Sequence, residues 1–144
     1  MTSVAKPTPT SASATPVSAS NQVEGPSGAQ ALAPDEQSVR VVTVAFNPGE
    51  ELERFLTSLA TATARRLVVV IADNGSEHEF VREAAERFGA EIVTDGTNRG
   101  YGGGANLAAR DLDEDWIVVA NPDIVWRPDS LDVLIDAGLN TAGA

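Results

Sequence analysis

Apolar residues in this chain gather in short runs, and between the runs they recur at helical spacing. Val39 to Phe46 is short and rich in β-branched residues. Leu67 to Ala72 is continuously apolar, as expected of a strand buried on both faces of a parallel sheet. Glu91 to Thr94 is briefer and reads as an edge strand, and Trp116 to Ala120 is again continuous. Between them, Leu52, Phe55, Leu56 and Leu59 mark one amphipathic helix, entered through Pro48-Gly49. Phe80, Val81, Ala84, Ala85 and Phe88 mark a second, closed by Gly89 as a C-cap. Ala105, Leu107, Ala108 and Leu112 predict a third, and Leu131, Leu134 and Ile135 a fourth, with Asp129 or Ser130 as its N-cap. The order is βαβαβαβα. It predicts an α/β fold with right-handed crossovers and a mostly parallel sheet of about four strands.

The pattern begins only at about Val39. Residues 1–38 are dominated by Ala, Ser, Thr and Pro, contain no aromatic residue and few branched aliphatics. Such a segment buries too little apolar surface to offset the entropy of ordering it, so a disordered tail is expected there and one domain over residues 39–144. Lys6 is not part of a basic cluster and no continuous apolar core follows it, which makes the segment a poor secretory signal. No apolar run approaches the ~20 residues needed to span a bilayer. There is no cysteine, which excludes disulfides and thiolate metal sites and fits a reducing compartment. Acidic residues outnumber basic ones 21 to 10, a net charge of −11. A polyanion such as nucleic acid is therefore an unsuitable partner. An anionic small molecule would need a cation between itself and the protein.

In open α/β sheets, ligands bind beyond the carboxyl ends of the strands. The residues there are Asn47, then Asp73-Asn74-Gly75-Ser76, then Gly96 to Gly104, then Asn121-Pro122-Asp123. Each is also ordinary turn chemistry. The convergence of all four on one edge is what points to a site. An Asp73 carboxylate fixed at a strand end suits acceptance of a hydrogen bond from the N–H of a pyrimidine base. Asp123, held out by Pro122, suits a hard cation, since Mg²⁺ is often bound by one or two carboxylates plus substrate phosphates. Gly100 to Ala105 matches a G-x-G-x-x-A dinucleotide fingerprint, but Asp95 to Arg99 separates it from the preceding strand, where the fingerprint requires direct succession. An oxidoreductase reading is disfavoured for that reason. His78, the only histidine, reads as a surface residue, and Asp111 to Asp115 as a solvated helix end.

Together these segments resemble family 2 glycosyltransferases of the three-layer, Rossmann-like GT-A type. The resemblance is closest to actinobacterial rhamnosyltransferases that extend N-acetylglucosaminyl-diphospho-polyprenol. It is carried by Val41 to Gly49 with Leu52 to Leu59, by Ala72 to Ser76, by Asn98 to Gly102, by Asn106, and by Asp115 to Asp123. It implies a donor nucleotide site formed by Phe46, Asn47, Asp73, Asn74, Asn98, Arg99, Gly100, Tyr101 and Asn121, with Asp123 holding Mg²⁺ or Mn²⁺. It implies a dTDP- or UDP-sugar donor, rhamnose among the candidate sugars, and a polyprenyl-diphosphate-linked or glycan acceptor in cell-wall synthesis. It also implies inverting transfer in the cytoplasm, at the inner face of the plasma membrane. Family members continue well beyond the equivalent of Ala144, so the general base is expected beyond the C-terminus. A non-catalytic nucleotide-binding or interaction module of the same fold is the alternative. Relatives commonly follow the Asp73 motif with an Asp-Gly turn, and Glu77-His78-Glu79 departs from that.

Overall fold

A computed structural model of the chain describes residues 1–7, 32–33, 36–77 and 79–142. Five strands form one sheet: β1 (Thr2–Ala5), β2 (Ser38–Ala45), β3 (Arg66–Asp73), β4 (Glu91–Val93) and β5 (Trp116–Ala120). Four helices alternate with them: α1 (Glu50–Leu59), α2 (Phe80–Phe88), α3 (Gly100–Ala108) and α4 (Ser130–Ala142). The strand order is β1-β5-β2-β3-β4. β2 pairs in parallel with both β3 and β5, and β3 with β4. The chain thus runs outward from β2 through β3 to β4, then returns to place β5 on the other side of β2. That reversal opens a crevice between the carboxyl ends of β2 and β5.

Strand alternation sorts the apolar residues onto two faces. On one face Val39, Val41, Ile71, Trp116 and Val118 pack against Leu52, Phe55, Leu56 and Leu59 of α1, Val81, Ala84 and Ala85 of α2, and Leu131 and Ile135 of α4. On the other, Val42, Val44, Val70 and Ala72 pack against Ala105 and Ala108 of α3. Helices therefore cover both faces, which explains why β3 reads as an unbroken apolar run. Gly89 closes α2 at φ 68°, the left-handed conformation that its lack of a Cβ permits.

The amino end of the sheet is locked by a polar cluster. The Arg65 guanidinium, with a side chain only 2% exposed, reaches Asp132 Oδ1 at 2.6 Å and Asp136 Oδ1 at 2.8 Å, tying α4 to the entry of β3. Trp116 Nε1 donates to Gln37 Oε1 at 3.0 Å beside it.

Three expectations change. The sheet has five strands, and the fifth comes from the segment read as a tail: Thr2–Ala5 runs antiparallel along β5, where Val4 reaches the core. An unpaired β5 edge supplies the missing reason for order there, since its backbone groups take partners that the composition of the segment does not reveal. Most of the remaining segment, residues 8–31 and 34–35, lies outside the described residues, as does His78. The third helix starts at Gly100 and ends at Ala108, so the glycines lie inside it and Leu112 does not. The acidic stretch at residues 111–115 is partly internal. Glu114 is buried against Arg40 at 2.8 Å, and Asp115 Oδ2 accepts both the backbone N–H and the hydroxyl of Ser38.

Candidate donor site at the carboxyl edge of the sheet

The turns that follow β2, β3 and β4 are stitched together by side chains. Asn47 adopts φ 45°, a left-handed conformation that Asn tolerates better than most residues. Its backbone N–H donates to Ser76 Oγ at 3.0 Å, and its Oδ1 accepts the Glu77 N–H at 2.8 Å. The turn after β2 is thereby fixed to the turn after β3. Asp73 sits at the end of β3 opposite Ala45. One of its oxygens, Oδ1, accepts the Ser76 N–H at 3.0 Å across Gly75, whose φ of 85° completes the turn.

Asn74 makes the next connection. Its backbone N–H donates to Ala45 O at 2.8 Å. Its Nδ2 donates to Gly100 O at 3.0 Å, and its Oδ1 accepts the Arg99 N–H at 3.3 Å. The residue is only 5% exposed. Both ends of its side-chain amide are thus occupied within the protein, and they fix the start of α3 to the end of β3. Asn98 Oδ1 accepts the Gly100 N–H at 2.9 Å. Gly100 itself stands at φ 68°. Arg99 is exposed and paired with Asp95, which holds the Asp95 carboxyl down to about 2, the Arg99 hydrogen bond being the main cause.

Tyr101 lies in the first turn of α3 and is 45% exposed; desolvation of its inner part is the first cause, and the charge of Asp123 the second, that raise its phenol above the ordinary value. The Asn121-Pro122-Asp123 turn is anchored from behind. Ile124 N–H donates to Asn121 O at 3.4 Å, Trp126 N–H donates to Ser58 Oγ at 3.0 Å, and the Trp126 ring is buried 6.3 Å from that of Phe55. Phe46 is 57% exposed at the end of β2, an unusual cost for an aromatic ring unless something stacks on it.

The expected residues thus fall at strand ends on one edge, bonded from Asn47 to Ser76 and from Asn74 to Arg99 and Gly100. Phe46 and Asn121 border the same edge without joining that chain of bonds. Sequence reasoning missed Ser76, Trp126 and Asp95 as supports. Only Asp95 had a visible signal, its i,i+4 spacing to Arg99. Two hollows, of about 460 and 560 Å³, lie elsewhere among the described residues, along α1 and between the residue 125–128 turn and α4.

A divalent ion can be tested against the residues present. No group of three or more His, Asp or Glu that might hold a metal occurs among the described residues. None of the six ion pairs found among them involves Asp123, whose exposed carboxylate remains available. One free carboxylate fits an ion whose other ligands are phosphate oxygens and water. It does not fit an ion caged by protein alone.

The family model for glycosyl transferase family 2 matches residues 40–140. The chain is 41% identical, over 109 residues, to N-acetylglucosaminyl-diphospho-decaprenol L-rhamnosyltransferases from two strains of Mycobacterium tuberculosis. The match covers 67% of this chain, which spans 36% of the length of those relatives. Among solved structures, the fold is similar to the mannosyltransferase PcManGT from Pyrobaculum calidifontis in complex with GDP-Man and Mn²⁺. The TM-score is 0.61 at 24% identity, covering 74% of this chain and 34% of that one. It is also similar to S. aureus TarS, with a TM-score of 0.56 at 19% identity over 71% of this chain and 31% of that one.

Proposed function

Because the chain belongs to glycosyl transferase family 2, we propose that it forms the donor-binding part of an inverting glycosyltransferase. The donor is a nucleotide-activated sugar; the relatives' L-rhamnosyl transfer favours rhamnose as the sugar, and the proposed carrier is dTDP. The acceptor is a polyprenyl-diphosphate-linked glycan in cell-wall synthesis. With a lipid-linked acceptor, the reaction would run at a membrane surface, which we take to be the inner face of the plasma membrane. Among the described residues no helix is long and apolar enough to cross a membrane.

The observation that carries this reading is that the turns after β2, β3 and β4 are bonded into one edge, through Asn47–Ser76 and Asn74–Gly100, beside the exposed Phe46, the fixed Asp73 and the exposed Asp123. Phe46 offers a face for a base. The Asp73 oxygen not bonded to Ser76 offers an acceptor for a pyrimidine N–H. Asn121 stands where a ribose would pass, and Asn98, Arg99 and Gly100 close the nucleotide side. In the transfer, an acceptor hydroxyl gives its proton to a general base as its oxygen forms a bond to the anomeric carbon. The bond from that carbon to the phosphate oxygen breaks, and the nucleoside diphosphate leaves with the electron pair. A divalent ion on Asp123 would supply Lewis-acid stabilisation of the charge growing on that leaving group. It would also let a protein of net charge −11 accept an anionic donor.

The test is binding of dTDP-rhamnose to the chain with and without Mn²⁺, with UDP-sugars as competitors. Binding that needs Mn²⁺ and is lost in Asp123→Ala is the expected result. Binding indifferent to the metal and to that substitution would contradict the reading.

A further inference from the structure

Helix α3 brings Arg99, Gly100 and Tyr101 to the carboxyl edge of the sheet, yet it has little apolar surface to hold it there. Of its nine residues only Gly104 and Ala108 are buried. It meets the sheet through Ala105 and Ala108, which pack on Val42, Val44, Val70 and Ala72, and through the close approach of Gly104 to Val44. Side chains this small raise low ridges, which resist sliding along the helix axis only weakly. The glycines inside the helix also weaken its own preference for order. What fixes α3 must therefore lie at its ends. The amide of Asn74 holds the first turn.

The other end is held by a residue far away in sequence. Arg40 lies on β2, on the same face as Val42 and Val44. Its Nη1 donates to Ala108 O at 3.2 Å and to Arg110 O at 2.8 Å, and its Nη2 to Asp111 O at 3.5 Å. Carbonyls at and just beyond a helix end lack intrahelical partners and collect partial negative charge. The last turn of α3 carries no basic residue of its own, so the sheet supplies the cation. Glu114 holds the guanidinium in turn, its Oε2 standing 2.8 Å from Arg40 Nε, with both side chains almost buried. We propose that Arg40 is a positioning residue for the donor site. By gripping the C-terminal carbonyls it sets where α3 lies along the sheet, and thus where the first turn presents Arg99, Gly100 and Tyr101 to a nucleotide. The proposal rests on the reading of that edge as a donor site. Lysine cannot replace arginine here, because a single ammonium lacks the planar fork that reaches several carbonyls and Glu114 together.

On the full chain, amide hydrogen exchange reads the helix, and calorimetry with dTDP and Mn²⁺ reads the site. Arg40→Met should lower protection along α3 as far back as residues 104–106 by about tenfold, while the amides of β3 keep theirs. Arg40→Lys, the milder change, carries the same exchange measurement if Arg40→Met fails to fold. It should also weaken dTDP binding by roughly tenfold. Asp132→Asn, which loosens α4 on the opposite face of the sheet, should leave dTDP affinity as it is, whereas a role in stability alone would make both variants weaken binding alike. The proposal is overturned if protection falls only at residues 107–111, if Arg40→Lys binds dTDP as the wild type does, or if Asp132→Asn weakens binding equally. A wild type that binds no dTDP overturns the donor-site reading itself, and the proposal with it.

Discussion

Tyr101 is the only tyrosine in the chain, so its phenol reports on a single place. Burial is the first cause of its raised titration and the Asp123 carboxylate the second. A negative neighbour disfavours the phenolate, so Asp123→Asn should lower the Tyr101 pKa part of the way toward its ordinary value, with burial holding the rest. Absorbance of the phenolate during a pH titration checks this, since the variant should ionise at lower pH than the wild type. Identical curves would mean that the two side chains do not face each other. Much of the residue-level site is legible in the sequence, because acidic and amide residues directly after apolar runs are easy to see. The direction of each side chain is not. Asn74 reads as a turn residue whether its amide points outward or inward, and only the bonds to Arg99 and Gly100 reveal that it points inward.

At the scale of elements, α3 is the one that composition misdescribes. Glycine costs roughly 1 kcal/mol relative to alanine inside a helix, and α3 contains Gly100, Gly102, Gly103 and Gly104. Local propensity therefore predicts a loop, and tertiary packing overrides it. The reason lies at Gly104, where a Cβ would stand 2.9 Å from Val44 Cγ1 and 3.2 Å from Asn74 Oδ1. Glycine lets the helix approach the sheet closely enough for Asn74 to hold its first turn. Gly104→Ala should therefore destabilise the protein by about 1–3 kcal/mol despite the better helix propensity. Gly102 has nothing within 4 Å of its missing Cβ, so Gly102→Ala should instead stabilise by up to about 1 kcal/mol. Urea unfolding of the two variants checks the pair. Equal effects would show that propensity, not close packing, governs α3. Helices α1 and α2 were legible because their apolar stripes are strong, and Leu52, Phe55, Leu56 and Leu59 are all buried as that stripe requires.

For the whole molecule, the polar cluster at the amino end sets the acid limit. The buried Arg65 guanidinium holds α4 through Asp132 and Asp136. Burial works to raise the Asp132 carboxyl, but bonds from Thr63, Ala64 and Arg65 outweigh it and leave the value lowered. Asp115 is lowered too, chiefly by the backbone N–H of Ser38. A depressed folded-state value contributes stability above the unfolded carboxylate value, near 3.9, and loses it as pH falls through the folded one. The melting temperature should be level through neutral pH and drop below about pH 4, less steeply in Asp132→Asn, which starts lower by roughly 3 kcal/mol. A variant with the wild-type acid profile and stability would remove Asp132 from this role. The parallel strands and their order along the chain were readable from apolar runs. The antiparallel β1 was not, because Thr2–Ala5 carries one branched aliphatic residue and derives its order from the β5 edge. At the opposite end of the sheet, we propose, the four strand ends assemble a nucleotide site with Asp123 as its metal contact. Calorimetric titration of the chain with dTDP and with UDP, each with and without Mn²⁺, tests it in the wild type and in Asp123→Ala. The account predicts nucleotide binding that needs Mn²⁺ and is lost in Asp123→Ala, whereas binding indifferent to both the metal and the substitution would contradict it.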